Sequence, residues 1–101
     1  MEYSYDIVLN GHMGERHGTL VWRESAGMVS GVLSLFGFED PVKGKRSGQC
    51  LELKHTLRTA VSILDCTTVL TLEYDELSGI VTSQYGQIRI RGKKAEERTT
   101  E

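Results

Sequence analysis

Three histidines, His12, His17 and His55, are the side chains best suited to hold a metal or move a proton near neutral pH. His12 and His17 flank one turn, and His55 shares an alternating face with Leu51, Leu53 and Leu57. A metal site needs about three or four ligands with ordered partners behind them, and no spacing brings these three together. The expectation is no metal and no cofactor, with His12 and His17 on the surface and His55 a polar group on an inward face. Cys66 beside Asp65 is the one candidate nucleophile. A reactive thiol needs a neighbouring base and a lowered pKa, and no local signature supplies either. The acidic pairs Glu39–Asp40 and Asp75–Glu76 fall in expected turns, where carboxylates are ordinary. No catalytic residue is assigned, and the residue types favour binding over catalysis.

The cationic stretches Lys43–Arg46 and Arg89–Lys94 are offset by acidic residues, and the formal net charge is −2. Nucleic-acid binding needs a clustered positive excess, so no nucleic-acid partner is expected. Gly11 and Gly14 are not a phosphate loop, because no Gly-Lys-Ser/Thr follows and no helix is expected. No apolar run approaches the roughly 20 residues of a membrane-spanning helix, so no membrane partner is expected. The first residues lack a basic and apolar leader. The expected setting is cytoplasmic, with Cys50 and Cys66 reduced.

The elements that must position these residues are strands. The 101 residues suffice for one small domain, with glycine eleven times and proline once. From Gly18 to Gly37 the chain reads as a hairpin. Leu20 and Trp22 alternate with Thr19, Val21 and Arg23, then Val29, Gly31, Leu33 and Leu35 alternate with Ser30, Val32 and Ser34. Ser25-Ala26-Gly27 is its turn. Residues 3–9, 49–57, 80–84 and 86–92 also alternate, with Ile88 and Ile90 inward in the last. A short, weak strand is expected near Val42–Lys45, because Pro41 belongs at an edge or bulge. Between Ala60 and Tyr74, Asp65-Cys66 either interrupts two strands or lies within one long bent strand. Leu77-Ser-Gly-Ile-Val81 echoes Val29-Ser-Gly-Val-Leu33 at an offset of 48, which suggests two halves on one plan. The expected fold is all-β: an antiparallel up-and-down barrel of about eight strands, with a sandwich as the alternative. Residues 1–92 form the barrel and 93–101 a disordered polar tail.

Several short motifs occur in order: Met13-Gly14, Arg16, Gly18-Thr19-Leu20 and Trp22; then Val29-Ser30-Gly31, Leu33, Leu35 and Gly37; then Pro41, Gly44 and Leu51-x-Leu53-Lys54. Together they resemble small bacterial calycin-like β-barrel proteins, most without an assigned function. The resemblance covers about residues 3–92. His12 stands where a proline commonly precedes Met-Gly, and the stretch from Arg58 to Tyr74 lacks a second Met-Gly turn. The resemblance implies a lipocalin-like barrel of the kind that holds small apolar ligands. It implies no particular ligand and no catalytic residue.

Two readings follow, beside a third, an enzyme of unknown class, for which no residue is assigned. In the first, the barrel binds a small apolar or amphipathic molecule. Trp22, Leu33, Leu35, Leu53 and His55 line the interior, and Arg58 at the rim meets a carboxylate. Gly31 is expected to leave space opposite Trp22. In the second, Trp22 and His55 are packing residues, side chains fill the barrel, and an apolar patch near Val32, Phe36 and Phe38 makes it an interaction or homodimerisation module.

Overall fold

The computed structural model describes residues 2–11 and 14–95. His12 and Met13, and the tail beyond residue 95, lie outside the described residues. The eight strands are β1 (Glu2–Gly11), β2 (Gly14–Ser25), β3 (Met28–Leu35), β4 (Phe38–Ser47), β5 (Cys50–Arg58), β6 (Ile63–Glu73), β7 (Glu76–Ser83) and β8 (Gly86–Lys94). Each pairs with its sequence neighbour, and β8 returns to β1, closing an antiparallel barrel without an exposed edge. One hydrogen-bonded row runs from Ser25 through Met28, Lys45, Glu52, Val69, Ile80 and Arg89 to Asn10. It starts at one end of β2 and arrives at the opposite end of β1. That climb is the stagger a closed barrel requires.

The alternation decides which side chains fill the barrel. Tyr5, Ile7, Leu9, Leu20, Trp22, Leu33, Leu51, Leu53, Leu70 and Ile90 are all buried in one core, while residues between them face water.

The two halves superimpose in sequence strand for strand. At the offset of 48, Met28–Leu35 of β3 maps onto Glu76–Ser83 of β7, and β1, β2 and β4 map onto β5, β6 and β8. Finer details repeat with it. Ala26 and Tyr74 both have positive φ, at 53° and 55°. The Arg46 N–H donates to Gly27 O, and the equivalent Lys94 N–H donates to Asp75 O. Gly31 and its counterpart Gly79 each let a neighbouring strand close in. A Cβ would lie 1.9 Å from Val21 O at Gly31 and 1.8 Å from Val69 O at Gly79. The space opposite Trp22 that the sequence assigns to Gly31 is therefore filled by the β2 backbone.

Two expected boundaries shift. The weak strand near Val42 is a ten-residue strand that runs through Pro41. The β4–β5 ladder stops at Val42↔His55, next to the residue that has no N–H to give. Beyond it the Asp40 carboxylate accepts the Arg58 backbone N–H at 3.2 Å, in place of a strand carbonyl. Asp40 is thus an inward strand residue and not a turn carboxylate. At the other boundary, β8 continues through Lys93 and Lys94, because Lys93 pairs with Asp6 of β1 and Glu76 of β7, and Lys94 with Tyr5 of β1. The open choice at Asp65-Cys66 resolves to one continuous strand, β6, after a loop whose Thr59 N–H donates to Ser62 O.

Candidate functional site

The barrel's two ends are built differently. The lower end carries the β2–β3, β4–β5 and β6–β7 turns. The Trp22 ring there is stacked between Tyr3 and Tyr5, with both centroid separations 5.2 Å. Trp22 Nε1–H donates to Glu24 Oε2 at 2.9 Å, and Arg46 donates to the same oxygen at 2.6 Å. The Arg46 guanidinium also lies 5.5 Å from the Tyr3 centroid. Alternation explains the grouping: Glu24 follows Trp22 by two on β2, and Arg46 follows Val42 and Gly44 on β4. The hydrogen bond to Glu24 raises the pKa of Arg46 further. Burial raises that of Tyr5, with the charge of Asp75 adding to it.

The upper end carries the other four connections and has its own arginine–carboxylate pair. Arg58 Nε–H donates to Asp40 Oδ1 at 2.9 Å, and the Thr56 hydroxyl donates to the same oxygen at 3.3 Å. The Asp40 side chain is 1% exposed and that of Arg58 is 42% exposed. The guanidinium stands 5.3 Å from the Phe38 centroid. Half-buried Phe38, Arg58, Leu64, Ser83 and Ile88 form this mouth. The halves differ in side-chain size here: Leu35 and Phe38 in the first half correspond to Ser83 and Gly86 in the second. Around it, Val61, Ile63 and Tyr85 are 93%, 68% and 75% exposed, and Phe36 is partly so.

Below this mouth sits His55. Its Nδ1 is 2.8 Å from Thr56 O, which can only accept, so Nδ1 carries the proton. In the neutral ring Nε2 then accepts from the Thr68 hydroxyl at 2.6 Å. Burial pushes the Cys66 thiol upward, with the charges of Asp65 and Asp40 acting the same way. A thiol so placed is protonated and a poor nucleophile.

Of the six residues proposed from sequence to meet a ligand, Trp22, Leu33, Leu35 and Leu53 are buried, and His55 and Arg58 are half-buried. Trp22 belongs to the lower end, Leu35 and Arg58 to the upper. Asp40 and the Glu24–Arg46–Tyr3 group were missed. For Asp40 the proline masked the strand, whereas the parity of Glu24 and Arg46 with their inward neighbours was a usable signal. Among the described residues no three or more His, Cys, Asp or Glu side chains converge as a metal site. On the outside, two shallow grooves are repeat counterparts. Asp6, Ile7, Val8, His17 and Gly18 in one correspond to Lys54, His55, Thr56, Asp65 and Cys66 in the other.

No family model matches the chain, and no curated protein matches it. A solved structure does: a redesigned β-barrel, mFAP1, bound to DFHBI, with a TM-score of 0.73 and 11% identity over 93% of each chain. At that identity the likeness is one of fold: an all-β, eight-stranded, closed antiparallel barrel.

Proposed function

We propose that this barrel binds a small amphipathic molecule at its upper mouth, with a carboxylate or similar anionic group against Arg58. The observation that carries this reading is the asymmetry of the ends. The lower end is stoppered by a three-ring stack and a largely covered ion pair. The upper end presents a half-exposed arginine inside a ring of exposed apolar side chains. Such a combination suits an apolar body with one anionic group. The small-molecule complex of the similar barrel and the calycin-like sequence motifs are in keeping with this reading. Leu35 and Arg58 border the ligand, Phe36, Val61, Ile63 and Tyr85 cover it, and Trp22, Leu33 and Leu53 pack the barrel beneath.

The test uses a matched pair of probes, dodecanoate and dodecanol, read by an Ile63→Trp reporter in a Trp22→Phe background. The carboxylate is expected to shift the reporter and to bind about tenfold more tightly than the alcohol, the worth of one charge-assisted contact. Absence of any shift with either probe overturns the reading. In that event a side-chain-filled interaction module takes its place.

A further inference from the structure

The seam between β4 and β5 changes character at Pro41. Along a strand, backbone N–H and C=O groups point alternately to the two neighbouring strands. The Arg46 N–H donates to β3, so Lys45, Lys43 and Pro41 direct their backbones at β5. The register sets Pro41 opposite Thr56, one step past the last pair, Val42↔His55. Pro41 has no N–H to give there, and the Thr56 carbonyl accepts from His55 Nδ1–H at 2.8 Å instead. Above this point Asp40 and Arg58 join the two strands through their side chains. Asp40 accepts from the Arg58 backbone N–H and Nε–H and from the Thr56 hydroxyl, and Arg58 Nη2–H donates to Glu39 O at 2.5 Å. On the other flank the β2–β3 ladder ends at Thr19↔Ser34. The β3–β4 tip, residues 35–40, therefore stands beyond both flanking ladders.

We infer that this tip is a lip that parts from β5 to admit a ligand to the upper mouth, with the Asp40–Arg58 pair as its latch. The inference rests on the binding reading above and adds the route of entry. Phe38 on the lip and Arg58 on β5 face each other across the seam, 5.3 Å apart from ring centroid to guanidinium carbon. Parting them releases an arginine that already reaches water and leaves the ladder from Val42 to Ser47 whole. Leu35, buried beneath the tip, reseals it. The latch is compatible with a bound ligand. Nε and Nη2 of Arg58 are engaged, and Nη1 has no partner among the described residues. A carboxylate therefore joins Arg58 while Asp40 keeps its hold. The lip is shut in the free and the loaded barrel and opens between the two states. The repeat supplies a contrast within the molecule. The opposite tip, between β7 and β8, also stands beyond its flanking ladders, which end at Thr67↔Thr82 and Asn10↔Arg89. There the counterparts of Asp40 and Arg58 are Ile88 and Asn10, which cannot form an ion pair, and the counterpart of Pro41 is Arg89, which keeps its ladder pair.

A gate and a contact leave different kinetic signatures. Loosening a gate speeds association and dissociation together, whereas losing a contact speeds dissociation alone. Stopped-flow mixing with the Ile63→Trp reporter in the Trp22→Phe background reads both rates. Dodecanol is the probe, because it carries no charge for Arg58 or Asp40 to act on. Pro41→Val gives the ladder its missing N–H and is expected to slow both rates about fivefold, the worth of one hydrogen bond, with affinity unchanged within about twofold. Asp40→Asn weakens the latch and is expected to speed both rates by a similar factor. A urea midpoint for each variant verifies that it is folded. Amide relaxation dispersion on the ligand-free chain looks for the same motion without a probe. Exchange on the microsecond-to-millisecond scale is expected at residues 36–40 and at Arg58, suppressed by Pro41→Val, with β4 and β5 quiet below Val42. The lip is overturned by variants that change one rate and not the other, or by a tip without such exchange. If neither dodecanoate nor dodecanol binds, the mouth reading falls by itself, and the dispersion result still upholds or overturns the opening of the seam.

Discussion

Both ends of the barrel place an arginine against a carboxylate and an aromatic ring, yet the two assemblies do different work. At the lower end Glu24 is held by Trp22 and Arg46 together, and the ring stack fills the barrel behind it. At the upper end the carboxylate is the buried member, and its arginine reaches water. Asp40 serves the backbone as well, since Pro41 ends the β4–β5 ladder beside it. One pair closes a core. The other repairs a strand junction and leaves a cation at an apolar rim. An arginine–carboxylate contact therefore says little by itself; which partner is covered decides whether it acts as plug or as handle.

The largest expected effect lies in the lower stack. Trp22→Ala removes a fully buried ring that touches Tyr3 and Tyr5, and should cost about 3–5 kcal/mol in urea unfolding. Phe38→Ala at the upper mouth, where the ring is only half-buried, should cost about 1–2 kcal/mol. Equal losses would erase the distinction between the ends. Asp40→Ala should come next, at about 2 kcal/mol. The Arg58 backbone N–H and the Thr56 hydroxyl lose their acceptor, while the Arg58 side chain turns to water. Asp40→Asn should recover part of that loss, because an amide oxygen still accepts.

Alkaline pH separates the ends by a different route. Cys66 and Tyr5 both have pKa values raised by burial, from ordinary values of 9.0 and 10.0. Below those values both groups are neutral in folded and unfolded chains, and their contribution to stability is fully present. As pH rises past them, the unfolded chain releases protons that the folded chain retains. Stability then falls until the folded groups also ionise. Denaturation midpoints should therefore decline from about pH 9 upward. Cys66→Val should delay the onset, and Tyr5→Phe should flatten only the portion above about pH 10. A decline identical in all three proteins would assign it to other groups.

Most of the barrel was legible because period-two alternation is a strong signal wherever one face is buried. Leu20, Trp22, Leu51 and Leu53 all fell inward as their spacing required. The echo at Val29–Leu33 and Leu77–Val81 was the visible part of a repeat covering all eight strands. Its remainder was hidden, because paired positions such as Trp22 and Leu70, or Asp40 and Ile88, share a direction and not a chemistry. Pro41 misled the reading of β4, since composition cannot show that a carboxylate one residue earlier will take over a ladder bond. The supposed gap at Gly31 failed for a related reason. An inward glycine leaves room either for a ligand or for a neighbouring backbone, and only the strand coiling decides which.

Removing each end's arginine in turn sharpens the comparison at a small cost in stability. Arg46→Met breaks the hydrogen bond that covers Glu24 and should cost about 1–2 kcal/mol. Arg58→Met takes the cation from buried Asp40, which keeps the Arg58 backbone N–H and the Thr56 hydroxyl as donors, so it should likewise cost about 1–2 kcal/mol. The binding readout should separate the two ends. Arg46→Met should leave dodecanoate affinity unchanged at the Ile63→Trp reporter, because its end of the barrel is shut. Arg58→Met should bring dodecanoate down to the level of dodecanol. Should Arg46→Met impair binding as much as Arg58→Met, the ligand would have to sit among the stacked rings, and the lower end could no longer be regarded as a stopper.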